Sequence, residues 1–299
     1  MHTKTSKPVQ VWLLVLGLSL LWGSSFLVLK RVLEFYTPIQ VFSGRMFFAA
    51  LTLLPFAIKH VKNIPINLWP PLLALAIIAN FATTLLNAIA QLFISSSLAG
   101  TLNSLTPLMT LVIGVSFYQN KLNRWQSIGI IGGIICTLIL LQSDQTGFEW
   151  LRLNGYALFL IGATICTGFT NNIIKYNLGS LSTMQIASVS FLIILPLALI
   201  SGWGSGFFHQ ALTDYASRPA TWSVIFLGVF SNAIALLMLT RIISLSTPIT
   251  GSLVTYLIPI VAVLWGWWDG EAIFTLNIVV MVLIIGCLYL VNHFSEDGP

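Results

Sequence analysis

Ten apolar segments separated by short polar breaks fill most of this 299-residue chain. An α-helix needs roughly 20 residues to cross the ~30 Å hydrocarbon core of a bilayer, and the segments are of that length. Numbered as spans 1 to 10, they cover residues 9–29, 39–58, 69–92, 97–118, 125–143, 154–174, 184–202, 220–240, 249–268 and 274–293. The pattern predicts an all-α integral membrane protein with ten transmembrane helices.

The low charge content leaves little room for function outside the bilayer. Only 7% of the residues are charged, whereas soluble proteins carry about 25%. Ten crossings leave about nine residues for each connection, too few for a soluble domain of ~100 residues. A catalytic head is therefore excluded and no cofactor is expected. The chain also lacks the G-x-x-x-x-G-K-[ST] loop with which ATP would be bound.

The net charge of +5 does not indicate a nucleic-acid partner, because the 13 Lys and Arg residues are scattered rather than clustered in a basic stripe. The four histidines lie in tails, loops or at a span end. They lack the close spacing of metal ligands on one helix, so no metal site is expected. The expected partners are the lipid bilayer and a small-molecule substrate, in a monomer or a homodimer.

The division between spans 3 and 4 is the weakest, because only serines 95–97 mark it. The basic residues favour it. With ten spans and a cytoplasmic amino terminus, they divide eight to four toward the cytoplasm, as the positive-inside rule requires. The cytoplasmic residues are Lys4, Lys7, Lys59, Lys62, Lys121, Arg124, Lys175 and Arg241, and the others are Lys30, Arg31, Arg152 and Arg218. Merging the two spans would remove this bias, so ten spans and two cytoplasmic termini in a bacterial-type inner membrane are predicted.

The two halves of the chain resemble each other. A shift of 145 residues superposes Gly23 on Gly168, Lys30 on Lys175 and Gln40 on Gln185, and a shift of 152 superposes Asn80 on Asn232, Leu105 on Leu257, Pro107 on Pro259 and Gln119 on Glu271. Five crossings in each half invert the second half relative to the first, as in many secondary transporters. The predicted organisation is a tail at 1–8, five-helix repeats at 9–146 and 147–293, and a tail at 294–299.

Several short motifs occur in a characteristic order. Span 1 carries Leu21-Trp22-Gly23-Ser24-Ser25-Phe26, span 2 begins with Pro38 and contains Arg45, and small residues precede Pro107 and Pro259. In this respect the chain resembles the EamA-type family of the drug/metabolite transporter superfamily, from about residue 10 to 292. The resemblance implies a ten-helix inverted repeat around a central cavity, in proteins that mostly export amino acids, other small metabolites or toxic compounds. The family's Gly-Glu near the end of the fourth span matches Gly270-Glu271, but the first half has Tyr118-Gln119 instead.

Polar residues inside the spans point to a candidate cavity, because they are costly in lipid unless they face a cavity or one another. In span 3 the spacing of four such residues places them within about 60° of arc on one helix face. For any single residue, hydrogen bonding between helices is the alternative, and Trp22 is as consistent with packing as with a cavity wall. The predicted substrate-binding residues are Trp22, Asn80, Thr84, Asn87, Gln91, Asn103, Thr106, Asn171, Asn232, Thr255 and Tyr256.

A second set of residues is predicted to act in gating or helix packing. Small residues allow close helix approach, and each proline removes the backbone hydrogen bond to the residue four positions earlier, so its helix can bend. Such kinks serve packing alone at least as often as gating. The set consists of Gly23, Arg45, Gly100, Pro107, Gly251, Pro259 and Glu271.

Arg45 is the only basic residue well inside a predicted span, ~10 Å from the start of its helix. Three roles are open. Its side chain could snorkel to the headgroups, it could anchor helices or close a gate through an acid such as Glu271, or it could receive a substrate carboxylate.

These observations predict a secondary carrier that exports small metabolites by alternating access, most simply amino acids or related amphipathic compounds. Every Asp and Glu lies at a span end, in a loop or in a tail, which favours a uniporter over proton coupling. The alternatives are a multidrug, toxic-compound or nucleoside exporter, a channel, and an intramembrane lipid enzyme. No suitably spaced catalytic set supports the enzyme, and no filter of charged or carbonyl rings supports the channel.

Overall fold

The computed structural model describes residues 6–120, 123–143, 155–245, 254–271 and 275–293, and this part of the chain is helical without strands. The helices of spans 1 to 10 are Ser6–Val32, Pro38–His60, Ile66–Ala90, Ser96–Tyr118, Arg124–Ser143, Gly155–Asn177, Thr183–Gly204, Arg218–Leu245, Val254–Trp268 and Thr275–His293. Within the described residues, 7 helices are long and apolar enough to cross a membrane, and shorter apolar helices lie in spans 9 and 10. The prediction of an all-helical multi-pass membrane protein is confirmed.

Spans 3 and 4 are separate helices, as the basic residues had indicated. The first ends at Ala90 and the second begins at Ser96. Ser95 caps the second helix, since its hydroxyl accepts the backbone N–H of Leu98 at 3.3 Å.

Matching capping boxes begin the second helix of each half. Gln40 Oε1 accepts the backbone N–H of Thr37 at 2.9 Å, and Gln185 Oε1 accepts that of Ser182 at 2.8 Å. Each glutamine satisfies an N–H group that the helix leaves free. The repeated glutamine therefore marks where the second helix of each half begins.

The helix packing follows the inversion between the halves. Spans 2 and 7, 4 and 9, and 5 and 10 pack in pairs, while span 1 contacts spans 8 and 9 as span 6 contacts spans 3 and 4. Spans 1 and 9 run in the same direction, since Ser19 Oγ donates to the Val254 carbonyl at 3.0 Å and Lys30 pairs with Asp269. Exchanging the halves thus preserves the packing pattern, as expected of an inverted repeat.

Gly23 and Gly168 occupy equivalent close approaches. A Cβ atom on Gly23 would lie 2.5 Å from Val261 Cβ in span 9, and one on Gly168 would lie 2.9 Å from the Met109 backbone in span 4. Each glycine lets the first helix of its half touch the fourth helix of the other half.

Two kinds of element are absent from the sequence prediction. Spans 3 and 8 contain π-helical segments at Ala76–Ala82 and Leu227–Ile234, and span 6 ends in another at Ile173–Asn177. A short helix, Phe207–Thr213, lies between spans 7 and 8. The first two π-helical segments are repeat equivalents, so this local geometry is duplicated along with the fold.

Candidate functional site

A cavity of about 140 Å³ lies at the centre of the bundle, between spans 1, 2, 3, 4, 6, 7, 8 and 9. Its wall combines apolar and uncharged polar side chains with one charged residue, Arg45. The lining residues are Trp22, Ser25, Phe26, Leu29, Arg45, Ala79, Asn80, Thr83, Thr84, Asn87, Gln91, Asn103, Thr106, Thr167, Thr170, Asn171, Phe191, Ser231, Asn232, Leu236, Leu239 and Thr255.

The structure brings together nearly all of the residues predicted to bind substrate. The four polar residues of span 3 line one wall, and Trp22, Asn103, Thr106, Asn171, Asn232 and Thr255 complete the set around the same cavity. The side chain of Tyr256 lies outside the described residues. That these side chains bind a substrate stays a prediction, but their convergence is a finding.

Many polar atoms of this wall have no hydrogen-bond partner within the described part of the chain. Buried polar atoms are normally paired, and an unpaired one costs about 1–3 kcal/mol. The unpaired atoms in the cavity wall are Asn80 Nδ2, Asn87 Oδ1, Gln91 Oε1 and Nε2, Thr106 Oγ1, Asn171 Oδ1 and Ser231 Oγ. The wall therefore offers both donors and acceptors to a polar guest.

The duplicated π-helical segments each place an asparagine at the cavity. Asn80 lies in Ala76–Ala82 and Asn232 in Leu227–Ile234, and both line the wall. A π-helical turn inserts an extra residue and changes which side chains face inward, and such turns are frequent at functional sites. The two asparagines are thus related by both sequence repeat and local backbone geometry.

Two predicted wall residues also connect helices. Trp22 Nε1 donates to the Ser231 carbonyl at 3.1 Å, joining spans 1 and 8. Asn171 Nδ2 donates to Thr110 Oγ1 at 3.1 Å, joining spans 6 and 4, while its Oδ1 stays unpaired. Lining a cavity and linking helices, set out above as alternatives, occur in the same side chains.

Arg45 neither snorkels nor meets Glu271. Its residue is 7% exposed, and Nε donates to Asn232 Oδ1 at 2.8 Å. Glu271 pairs instead with Lys30. The guanidinium is therefore held within the bundle, beside the cavity.

Sequence reasoning missed several polar wall residues: Ser25, Thr83, Thr167, Thr170 and Ser231. Three of them lie one residue beside a predicted wall residue, namely Thr83, Thr170 and Ser231. Thr167 is four positions before Asn171, a helical spacing that the sequence does carry.

At one end of the bundle, ionic contacts around Glu271 join helix ends; we call it the Glu271 end. Lys30 Nζ lies 2.8 Å from Glu271 Oε1. The backbone N–H groups of Ser96 and Ser97 donate to the two carboxylate oxygens at 2.8 and 3.0 Å, and the two hydroxyls add bonds of 2.8 and 2.7 Å. Asp269 extends the cluster through pairs with Lys30 and Arg31. The carboxylate thus ties span 1 and the turn after span 9 to the N-terminus of span 4, where helix geometry favours an anion.

These contacts determine the charge state of Glu271. Burial by itself would raise the pKa of its carboxyl group, but hydrogen bonds from Lys30, the Ser97 hydroxyl and the two backbone N–H groups outweigh burial and lower the pKa to about 2. Glu271 is therefore ionised throughout the physiological range.

At the opposite end, here the Tyr118 end, the described contacts between spans 4 and 6 are hydrogen bonds and ring stacking of uncharged side chains, and Lys175 Nζ lies 4.6 Å from the Tyr176 ring centroid. Tyr118 Oη donates to Asn177 Oδ1 at 2.8 Å, Tyr176 Oη donates to Asn120 Oδ1 at 3.0 Å, and the two tyrosine rings stack with centroids 4.8 Å apart. These contacts join the ends of spans 4 and 6.

The neutral counterpart of Glu271 is Asn120 rather than Gln119, which the sequence shift had paired with it. A Cβ atom on Gly266 would lie 2.5 Å from Glu271 Oε2, and one on the repeat-equivalent Gly114 would lie 2.6 Å from Asn120 Nδ2. Gln119 adopts a left-handed conformation, φ 58°, and is exposed. The turn after span 4 is therefore one residue out of register with the turn after span 9.

The remaining predicted gating residues differ in their surroundings. Span 4 is interrupted between Asn103 and Thr106, directly before Pro107, whereas Pro259 lies within the described helix of span 9. A Cβ atom on Gly100 would collide with Ala262, so spans 4 and 9 touch there. Gly251 lies outside the described residues.

The profile of the EamA-like transporter family matches residues 10–142 and 154–293. The chain belongs to this family. The family model matches the chain twice, and the chain is accordingly a multi-pass membrane transporter of the drug/metabolite transporter superfamily and not an enzyme. The predicted boundary at 146/147 falls between the two matched ranges and stays a prediction.

Similar proteins are named as transporters, at low identity but over nearly the full length. The uncharacterized transporter YoaV of Bacillus subtilis is 20% identical, over 96% of this chain and 98% of its own. An S-adenosylmethionine/S-adenosylhomocysteine transporter of Chlamydia muridarum is 22% identical, over 98% and 94%. A crystal structure with 17% identity covers 96% of this chain and 97% of its own with a TM-score of 0.61, which shows the same fold.

Proposed function

We propose that this EamA-family protein is a secondary carrier that exports small polar metabolites, amino acids or related amphipathic compounds, by alternating access. The observation that carries the proposal is the central cavity with unpaired donors and acceptors on four spans. A guest with its own donors and acceptors satisfies these atoms, whereas a purely apolar guest leaves them unpaired at a cost.

The cavity volume supports a small substrate. A dry cavity of about 150 Å³ accommodates benzene, and this cavity measures about 140 Å³ in the described conformation. An amino acid with a modest side chain is of this size class. The adenosyl sulfonium compound named for the chlamydial relatives is larger, so it requires an expanded cavity and is the natural alternative to test.

Alternating access would be achieved by opening the two ends in turn. Exchanging the conformations of two inverted halves converts a cavity open to one side into one open to the other. In this proposal the Glu271 end, with its ion pairs, is the outer gate, and the Tyr118 end is the cytoplasmic gate. The basic-residue count supports this assignment, with both termini in the cytoplasm of a bacterial-type inner membrane.

The proposed driving force is the substrate's own gradient. Among the residues that the structure describes, no Asp or Glu lines the cavity, and a proton-coupled carrier commonly uses such a group at membrane depth. We therefore propose uniport.

Counterflow in proteoliposomes tests the function. Vesicles are preloaded with one unlabelled compound and placed in a medium that contains a trace of the same compound in labelled form. Phenylalanine, threonine, uridine and S-adenosylmethionine are tested in turn. Saturable transient accumulation of an amino acid is expected, whereas accumulation of uridine or S-adenosylmethionine alone would assign the alternative. A linear, non-saturating flux would indicate a channel, and accumulation driven by an imposed pH gradient would contradict uniport.

Gln91→Leu supplies the matched mutational test, because both polar atoms of the Gln91 amide are buried and find no partner among the described residues. We expect at least a severalfold loss of counterflow with unchanged or higher thermal stability, since an unsatisfied group is removed. Asn67→Leu changes an exposed amide outside the cavity and serves as control.

A further inference from the structure

Arg45 carries a buried charge that the described protein groups do not neutralise. The ion pairs found among the described residues all involve Lys30 or Arg31. The hydrogen bond of Arg45 Nε goes to Asn232 Oδ1, a neutral amide, at 2.8 Å. An arginine guanidinium keeps its proton, so the positive charge persists at this 7% exposed residue.

No Asp or Glu falls in the interior of a predicted span. All eight Asp and Glu residues lie at span ends, in loops or in tails, and no Asp or Glu is among the described residues that line the cavity. A buried charge without a partner is strongly unfavourable. Retaining Arg45 beside a cavity is therefore explained most directly by an anionic guest.

The surroundings of the guanidinium suit such a guest. Nε is occupied by Asn232, which orients the planar group and leaves the two terminal NH₂ groups for other acceptors. Within the same wall, Asn80 Nδ2 is a buried donor and Ser231, the chain neighbour of Asn232, carries a buried hydroxyl, and neither has a partner among the residues that the structure describes. A planar guanidinium with nearby neutral donors matches the two oxygens of a carboxylate.

We propose that Arg45 is the carboxylate receptor of the cavity, so that the substrate class is restricted to small organic carboxylates, including amino acids. Asn232 positions the guanidinium, and the polar residues of span 3 contact the remainder of the substrate. This inference rests on the proposed transport function and deepens it, because a carrier for compounds without a carboxylate would not need the charge.

A binding test compares acids with their uncharged analogues. Purified protein in detergent is titrated with sodium acetate, propionate or benzoate and with benzamide, which has the shape of benzoate without its charge, and thermal unfolding is followed. We expect at least one carboxylate to stabilise the protein, with benzoate binding about tenfold or more tightly than benzamide. Arg45→Gln should abolish this preference, and Arg45→Lys should retain part of it. Equal binding of benzoate and benzamide, or no stabilisation by any of the three carboxylates, overturns the proposal.

An inorganic anion such as chloride also carries a negative charge that can pair with Arg45. A titration with sodium chloride alone distinguishes binding of a carboxylate from binding of any small anion. Chloride that stabilises the protein as much as the carboxylates do, with no additional effect of benzoate, would assign Arg45 to chloride and contradict a substrate role.

Asn232→Asp provides a test that does not remove the arginine. The new carboxylate would lie at hydrogen-bond distance from Arg45 Nε and supply an internal counter-ion. We expect higher thermal stability together with loss of the benzoate preference, because the Asp carboxylate already neutralises the guanidinium. Unchanged benzoate binding in this variant would show that the guanidinium does not face the guest.

A transport assay distinguishes the carboxylate assignment from the more general proposal that the protein is a carrier. Counterflow of phenylalanine is compared with that of phenethylamine, which lacks the carboxylate. Transport of phenylalanine alone supports both proposals. Equal transport of the two overturns the carboxylate assignment and leaves the carrier function standing, whereas absence of counterflow for every compound despite Arg45-dependent benzoate binding refutes the carrier function alone.

Discussion

Lys30 Nζ lies 2.8 Å from Glu271 Oε1, and this contact joins the end of span 1 to the turn after span 9. The Glu271 side chain is only 5% exposed and also accepts hydrogen bonds from the N-terminus of span 4. One carboxylate therefore holds three helix ends together on one side of the cavity.

Glu271→Gln is expected to destabilise the protein by about 2 kcal/mol or more, because it leaves Lys30 without its close partner and weakens the bonds to Ser96 and Ser97. Thermal unfolding in detergent measures the effect. Glu34→Gln is the control: Glu34 also pairs with a cation at this end, Arg31, but with side chains 49% and 54% exposed. The control should change stability by less than about 0.5 kcal/mol, and equal losses in the two variants would contradict a special role for Glu271.

The stability that Glu271 contributes should depend on pH in one direction. Its pKa falls from 4.5 to about 2 on folding, so the contribution, roughly 3 kcal/mol, is fully present above pH 4.5. It is lost as the pH falls from 4.5 toward 2, because the unfolded state then binds a proton that the folded state does not. Unfolding measured from pH 7 to pH 3 should show the stability difference between wild type and Glu271→Gln shrinking below pH 4.5. A constant difference would exclude this linkage.

The close approach of spans 1 and 9 predicts the response to a single added methyl group. Gly23→Ala places a Cβ atom 2.5 Å from Val261 Cβ, and the resulting overpacking should cost about 1–3 kcal/mol and slow counterflow. Gly286→Ala is the control, since it adds a Cβ in open space within the helix of span 10. The control should be neutral or stabilising by up to about 1 kcal/mol, and a neutral Gly23→Ala would show that the helices separate at little cost.

The parts of the fold that sequence could predict are those governed by local pattern. Span lengths follow from apolar runs, and the spacing of Asn80, Thr84, Asn87 and Gln91 points one helix face inward whatever surrounds it. The repeated Gln40 and Gln185 were detectable because each satisfies its own helix terminus. These features follow from the sequence of each helix alone and do not depend on which helix packs against it.

The features that escaped prediction depend on contacts between distant segments. The π-helical turns around Asn80 and Asn232 leave no periodic sequence signal. The pairing of Lys30 with Glu271, rather than Arg45 with Glu271, depends on how spans 1, 4 and 9 converge. Asn120 replaces Gln119 as the counterpart of Glu271 because the turn after span 4 is out of register with its repeat.

Weakening the two ends of the bundle should have opposite effects on access to the cavity. Tyr118→Phe removes the hydrogen bond to Asn177 at one end, and Glu271→Gln weakens the other. In a background with Cys136, Cys166 and Cys287 replaced, a cysteine at Ser25 in the cavity wall is labelled from one membrane face with an impermeant thiol reagent. Because opening one end favours closure of the other, one variant should accelerate labelling and the other retard it. In vesicles of the opposite membrane orientation, the variant that was labelled faster should be labelled more slowly. Labelling rates that change in the same direction in both variants would contradict alternating gates.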